Sequence, residues 1–293
     1  MPELPEVETV KNGLAKLLPK RVVADIWHDW PKSFPNAPAD TARFLIGAIV
    51  EDVRRRAKVL IIDLSGGYSL VIHLKMTGQL VFRGEKNFGA GHPNDSLIGK
   101  LPDKSTRVIL DFKDGSKLFF NDQRKFGWMR LIPTDQVPEI DFMKKVGPEP
   151  LDDNFTAVEF TERLLRRKGT SIKAALLDQT VVAGVGNIYA DESLFAAKIH
   201  PATLVADVPK RQLATLFGEL QRILRLSIEK GGSTDRNYVD AEGKKGSYLS
   251  FAQVFRREGQ PCPVCGEPIE KIRVAGRGTH ICSHCQKLVR PKK

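Results

Sequence analysis

Residues 58–64 and 69–76 read KVLIIDL and SLVIHLKM, and residues 106–112 and 117–122 read TRVILDF and KLFFND. All four runs are rich in β-branched and aromatic residues, which suit a pleated, half-buried surface. Gly66-Gly67 lies between the first pair and Asp114-Gly115 between the second. Such dipeptides supply the positive φ angles that tight hairpin turns require. The spacing predicts two hairpins, and the stretch from 45 to 132 an antiparallel sandwich or barrel. Upstream, LPEVETVKNGLAKLL at 4–18 has Leu4, Val7, Val10, Leu14, Leu17 and Leu18 on one helical stripe. Pro5 and the acids Glu6 and Glu8 suit the first turn of that helix, and Pro19 ends it. Between the hairpins, residues 84–103 are rich in Gly, Pro, Asn and Asp and read as a long surface loop. Downstream the period changes. A proline-rich connection covers 134–153, helical patterns follow at 156–168, 171–178, 188–197 and 207–230, and a Gly-rich segment runs from 251 to 293. The expected domains are therefore 1–133, β-rich; 134–153, a linker; 154–250, helical; and 251–293, a small cysteine module.

Composition narrows the partners. With 41% hydrophobic and 28% charged residues, the chain of 293 residues is neither disordered nor collagenous. No run approaches the roughly 18 uninterrupted apolar residues of a membrane span. The start MPELPEVETV lacks the basic residues and apolar run of a secretory leader, so an unexported protein is expected. Lys and Arg total 46 against 35 Asp and Glu, a formal charge of +11. Residues 251–293 hold nine basic and three acidic side chains, so more than half of the excess lies there. This balance favours a polyanionic partner.

All four cysteines lie in that segment, as Cys262-Pro-Val-Cys265 and Cys282-Ser-His-Cys285. Two C-x2-C turns present four thiolates, the donor set of a tetrahedral Zn²⁺ site. A redox dithiol pair or disulfides are the alternatives, but redox C-x-x-C normally opens a helix in a βαβ context, which is absent. Four thiolates leave no open position, so the expected ion is single and structural. Arg273 and Arg277 fall between the cysteine pairs, where a hairpin tip is expected. A charge on such a tip is most often simply solvated.

Met1-Pro2-Glu3 carries possible chemistry. Removal of Met1 would expose a secondary amine with a pKa near 8, partly unprotonated at neutral pH. Such an amine attacks a carbonyl-like carbon to form a Schiff base. Glu3 and Glu6 share one side of the first turn, where one of them can act as acid or base. An ordinary helix start would also place proline and acids there, and the residues by themselves favour that plainer reading.

The motifs PELPEVETV, RRAK at 55–58, HLKMTG at 73–78, NDQRKFG at 121–127, GVGNIYADESLF at 184–195, GGS at 231–233 and the cysteine module occur in this order. Together, across essentially the whole chain, they resemble the bacterial formamidopyrimidine-DNA glycosylases. The resemblance implies an α+β multidomain fold: an N-terminal antiparallel β-sandwich with flanking helices, a helix–two-turn–helix domain and a zinc finger. It implies excision of oxidised purines (8-oxoguanine and formamidopyrimidines) from duplex DNA, followed by β- and δ-elimination at the abasic site. Pro2 would be the nucleophile, Glu3 the proton donor and shuttle, and Glu6 a positioning acid. Lys58, Lys125, Lys173, Asn187 and Arg277 would hold phosphates, with Lys58 and Arg277 also aiding catalysis. Met76, Arg124 and Phe126 would fill the gap left by the flipped nucleotide. The implied state is a monomer with one structural Zn²⁺, in the cytoplasm and on the nucleoid. The loop 231–238 stands where the family caps the damaged base.

Three departures stand out: Lys104-Ser105-Thr106-Arg107 replaces a Lys-His-acid-His stretch, Gln123 replaces a proline, and 84–103 is longer than usual. The sister endonuclease VIII, which acts on oxidised pyrimidines, is the nearest competing reading, although Leu4, Arg124 and Phe126 favour the purine enzyme. A non-catalytic DNA-binding zinc-finger protein is the competitor from another class.

Overall fold

A computed structural model of the chain describes residues 2–92, 94–233 and 248–289. These form two compact units, 2–144 with 230–233, and 145–229 with 248–289.

The first unit opens with α1 (Leu4–Ala15), β1 (Val23–His28) and α2 (Pro38–Phe44). Strands β2 (Val50–Arg56), β3 (Val59–Leu64), β4 (Tyr68–His73), β5 (Gly78–Arg83) and β6 (Phe88–Gly91) follow, then β7 (Thr106–Phe112), β8 (Lys117–Asp122) and β9 (Trp128–Pro133). They build two antiparallel sheets, β2-β3-β4-β9 and β1-β7-β8-β5-β6. Leu60, Ile62, Leu70 and Ile72 of the first share one buried cluster with Leu80, Phe82, Leu110 and Phe120 of the second, so the sheets form a sandwich. Val7, Val10, Leu14 and Leu18 join the same cluster and seat α1 on it. Both hairpins lie where the turn residues put them. Gly66 and Gly67 have φ of 84° and 77°, and Gly115 has 82°.

Two expectations need correction. The 84–103 stretch is not merely a surface loop. Phe88–Gly91 pairs with Gln79–Phe82 as an edge strand, and Leu97 is buried with Val81 and Phe119. A Cβ on Gly13 would lie 2.1 Å from the Phe88 ring, so this glycine is what lets β6 close onto α1. The proline-rich 134–153 is not a free linker either. Val137 packs with Val59, Ile61 and Val71, so residues 134–144 belong to the sandwich, and 145–153 go with the second unit.

The second unit contains α4 (Ala157–Leu165), α5 (Ile172–Leu177), α6 (Asn187–Ala196) and α7 (Lys210–Glu229), after a short α3 (Asp141–Lys145) that straddles the division. Phe155, Phe160 and Phe217 pack ring to ring at its centre. The hairpin β10 (Glu270–Val274) and β11 (Arg277–Ile281) carries the cysteine pairs at its base. It is part of this unit rather than a separate body, because Glu192 of α6 accepts backbone N–H bonds from Gln253, Val254 and Phe255 at 2.8–2.9 Å. Gln286 adds bonds to Cys282 N at 3.1 Å and to Ile199 O at 2.8 Å.

Candidate functional site

In the first unit, Pro2, Glu3 and Glu6 gather on the opening turn of α1, all buried. Glu3 is the residue before the helix, and its N–H donates to Glu6 Oε2 at 2.8 Å. The other oxygen of Glu6 accepts Ser233 N–H at 2.7 Å. Glu6 is thus pinned from both sides, which suits a positioning acid. Gly232, at φ 87°, would place a Cβ 3.1 Å from Glu6 Oε1, so the approach of this segment to the acid depends on a bare backbone. Residues 234–238 of the expected base-capping loop lie outside the described residues.

Lys58 lies in the tight two-residue β2–β3 turn, in which Ala57 takes φ 53°. The lysine is largely buried. Arg55 clamps the same turn, with Nε donating to Glu8 Oε2 at 2.7 Å and Nη1 to Ala57 O at 2.8 Å. Burial opposes the charge on Glu8, yet Arg55 and then Lys11 outweigh it and hold this carboxyl below its ordinary range. The pair ties α1 to the turn that bears Lys58.

One residue of interest escaped the sequence reading. His73 lies opposite Val59 on β4. Burial, with Lys75 and Lys58 nearby, pushes its pKa down to about 3, so the ring is neutral at physiological pH. Nδ1 accepts Lys75 N–H at 3.0 Å, which leaves the proton on Nε2 as a donor. The motif HLKMTG held this residue in view, but nothing in its spacing shows that the ring is neutral.

The three residues expected to fill a gap in a base stack sit on two turns. Met76 is half-buried between Leu74 and Gly78. Arg124 and Phe126 are exposed on the β8–β9 turn, Phe126 by 53%, with the guanidinium stacked 4.8 Å from the Phe126 ring centre. Lys125 between them has φ 57° and points its ammonium at Trp30, 5.0 Å from the ring centre. A large apolar ring and a cation are thus presented to solvent, and both side chains are of a kind suited to stacking.

In the second unit, Gly184 and Gly186 shape the turn into α6, with Gly184 at φ 78° and its N–H on Gln179 Oε1 at 3.0 Å. Asn187 opens the helix and donates from Nδ2 to Gly278 O of β11 at 3.0 Å. The start of a ten-residue helix and the hairpin are thereby joined, and the positive end of a helix dipole suits an anion such as phosphate. Arg277 is exposed beside a tip formed by Ala275 and Gly276, at φ 51° and 72°.

Lys173 departs from the expected phosphate contact. Its side chain is 0% exposed, and Nζ donates to Asp191 Oδ1 at 2.6 Å and to Thr279 Oγ1 at 2.7 Å. The other oxygen of Asp191 accepts His280 N–H at 2.9 Å. The ammonium is therefore enclosed by protein partners, and it fastens α5 and α6 to β11. Lys173→Ala would leave Asp191 buried and uncompensated, which costs about 3–5 kcal/mol. The variant is expected to unfold the second unit at lower urea, measured through zinc release. The salt slope of DNA binding should stay unchanged, whereas a lost phosphate contact lowers it by roughly 0.9. A slope reduced by about one with stability intact would restore the phosphate role.

The four cysteine Sγ atoms lie within 4.8 Å of one another. Cys262–Cys285 and Cys265–Cys282 are separated by 3.9 and 3.4 Å. A tetrahedron with 2.3 Å Zn–S bonds has edges of about 3.8 Å, so the donor set fits one structural Zn²⁺.

Comparison with known proteins gives the same arrangement. Residues 1–129 match the formamidopyrimidine-DNA glycosylase N-terminal domain, 146–238 its H2TH domain, and 259–288 the zinc finger found in FPG and IleRS. The chain is 42% identical over 290 residues to a formamidopyrimidine-DNA glycosylase of Desulforamulus reducens, covering 98% of this chain and 99% of that one. It is 44% identical over 289 residues to one from Streptococcus pyogenes, with the same coverage of 98% and 99%. Among solved structures, Lactococcus lactis FPG bound to a Fapy-dG containing DNA aligns with TM-score 0.86 and 35% identity, over 98% of this chain and all of that one. The MutM (FPG) protein of Thermus thermophilus aligns with TM-score 0.83 and 36% identity, over 99% and 100%. With coverage nearly end to end and all three modules in order, the chain belongs to the formamidopyrimidine-DNA glycosylase family.

Proposed function

We propose that the chain excises oxidised purines, 8-oxoguanine and formamidopyrimidines, from duplex DNA and then cleaves the strand at the abasic site. It is a base excision repair enzyme of bacterial type, both DNA glycosylase and abasic-site lyase. The observation that carries the reading is the first turn of α1, where Pro2, Glu3 and Glu6 are buried together and Glu6 is pinned by Glu3 N–H and Ser233 N–H.

With Met1 removed, the Pro2 nitrogen attacks C1′ of the damaged nucleotide. The glycosidic C–N bond breaks and the base departs with a proton. Glu3 is the proton donor and shuttle at the sugar, and Glu6 orients the sugar and the amine. The C1′–O4′ bond then opens as O4′ takes a proton, and the iminium formed by this ring opening acidifies the C2′ proton. Its loss expels the 3′ phosphate, and a second elimination expels the 5′ phosphate. Hydrolysis of the iminium frees Pro2. Phosphates are held by Lys58 and Lys125 of the first unit and by Asn187 and Arg277 of the second. Lys173 acts on DNA only through the hairpin it fastens. Met76, Arg124 and Phe126 enter the stack, with Arg124 hydrogen-bonding the orphaned base. Bound zinc supplies rigidity to the hairpin that presents Arg277.

No helix among the described residues is long and apolar enough to cross a membrane. The proposed working form is a monomer on the bacterial nucleoid. Excision kinetics on duplexes carrying 8-oxoguanine or thymine glycol test the substrate class. Preference for 8-oxoguanine is expected; faster release of thymine glycol would move the chain to the pyrimidine-directed branch.

A further inference from the structure

Arg107, near the start of β7, is nearly fully buried. Its guanidinium does not face outward toward a phosphate. Nε donates to Asp122 O at 2.9 Å, Nη1 to Asp29 Oδ2, and Nη2 to Lys104 O. Asp29 returns a bond from its own N–H to Arg107 O at 3.1 Å, and the next residue, Trp30, lies under the Lys125 ammonium.

Asp122 ends β8 and is fully buried. One carboxylate oxygen accepts from the Thr77 hydroxyl and from Arg124 N–H at 3.2 Å. The other accepts from Gly127 N–H at 2.6 Å. Thr77 Oγ1 in turn accepts Arg124 N–H at 3.1 Å. Thr77 follows Met76 in sequence, while Arg124 and Gly127 bracket Lys125 and Phe126. A single carboxylate therefore spans both turns that carry the stack-filling side chains.

We infer that Asp122, Thr77, Arg107 and Asp29 form a positioning clamp that holds the Met76 turn and the Arg124–Phe126 turn in one geometry. The physical case is that residues 123–126 are exposed, so core burial does not fix their side chains. Gln123 adds no backbone stiffness of the kind a proline provides. The order needed for a ring and a guanidinium to enter a base stack together must then come from below. Buried, charge-assisted hydrogen bonds in a low-dielectric setting are rigid and geometrically specific. Arg107 anchors the Asp122 main chain, Asp122 anchors the ends of the turn, and Thr77 transmits that position to Met76. The inference rests on the proposed stack-filling role of these three residues.

The test uses the full, zinc-loaded chain and two readouts. The first is 2-aminopurine fluorescence from a duplex in which this base faces a tetrahydrofuran abasic analogue, which reports entry into the stack without any chemistry. The second is single-turnover excision of 8-oxoguanine paired with C or with A. Thr77→Val keeps the shape and removes the hydroxyl, Thr77→Ser keeps the hydroxyl, and Asp29→Asn weakens the brace at its exposed end. Thr77→Val and Asp29→Asn are expected to slow the fluorescence change by roughly tenfold and to narrow the C-over-A preference. Thr77→Ser should restore both. Affinity for undamaged duplex and its salt slope should not move, which separates positioning from general damage to the fold. Wild-type insertion rates in Thr77→Val and Asp29→Asn would overturn the clamp, as would a Thr77→Ser protein as slow as Thr77→Val. If the wild type excised no 8-oxoguanine, the proposed substrate would fail, and the fluorescence arm would still decide for or against the clamp.

Discussion

A preparation that keeps Met1 is expected to give no borohydride cross-link to lesion-containing DNA and no strand cleavage. With Met1 attached, the Pro2 nitrogen is an amide whose lone pair is delocalised, and it cannot attack C1′. With Met1 removed, it is a secondary amine with a pKa near 8, and a useful fraction is unprotonated at neutral pH. Pro2 is itself buried just before α1, next to Glu3 in the chain. Loss of the nucleophile should lower the excision rate by a factor on the order of 10³ or more. The experiment pairs a mass spectrum of the intact chain with reductive trapping and peptide mapping, in matched samples with and without Met1. The adduct should map to Pro2 in the processed sample only. An adduct on Lys58, or equal trapping in the two samples, would remove Pro2 from the mechanism.

Zinc removal should abolish DNA binding while leaving the β-sandwich folded. Binding of a structural zinc by four thiolates is worth roughly 10–16 kcal/mol near neutral pH, and folding of such a module depends on it. Here the loss would spread. Thr279 and Gly278 on the same hairpin hold Lys173 and Asn187, and freeing β11 would leave Lys173 and Asp191 without part of their network. The sandwich draws on none of the cysteines; its core is made by the facing sheets and α1. Chelation or Cys282→Ser should therefore eliminate binding to damaged and undamaged duplex while the circular dichroism of the β-rich unit persists. Zinc content near zero in metal-replete protein, or normal affinity for DNA in Cys282→Ser, would refute this.

Local chemistry made much of this readable. The hairpin turns were legible because positive φ angles, two in a row at Gly66-Gly67 and one at Gly115, favour glycine whatever surrounds them. The stripe of α1 showed through helical period, although the helix stops at Ala15 and not at Pro19. The zinc ligands could be found because C-x2-C places both thiolates within one turn. Strand β6 was hidden, since its decisive contact joins Phe88 to Gly13, far apart in the chain and each unremarkable in its own neighbourhood.

The sequence alone determined the order of modules, the antiparallel hairpins, the cysteine quartet and, through its motifs, the residues proposed for chemistry. Tertiary structure decided what several of those residues can do. A lysine in a run such as TSIKAALLD looks like any surface cation, but Lys173 meets Asp191 and Thr279, 18 and 106 residues away, and is sealed from solvent. Arg107 reads as a strand-borne charge near DNA-contacting motifs, yet Asp29, 78 residues distant, turns it inward. His73 is neutral because the packed strand around it removes water, which no spacing pattern records. The physical reason is common to all three. Whether a charged side chain serves as a ligand for DNA or as a brace depends on which partners and how much water reach it, and both are set by contacts between segments remote in sequence.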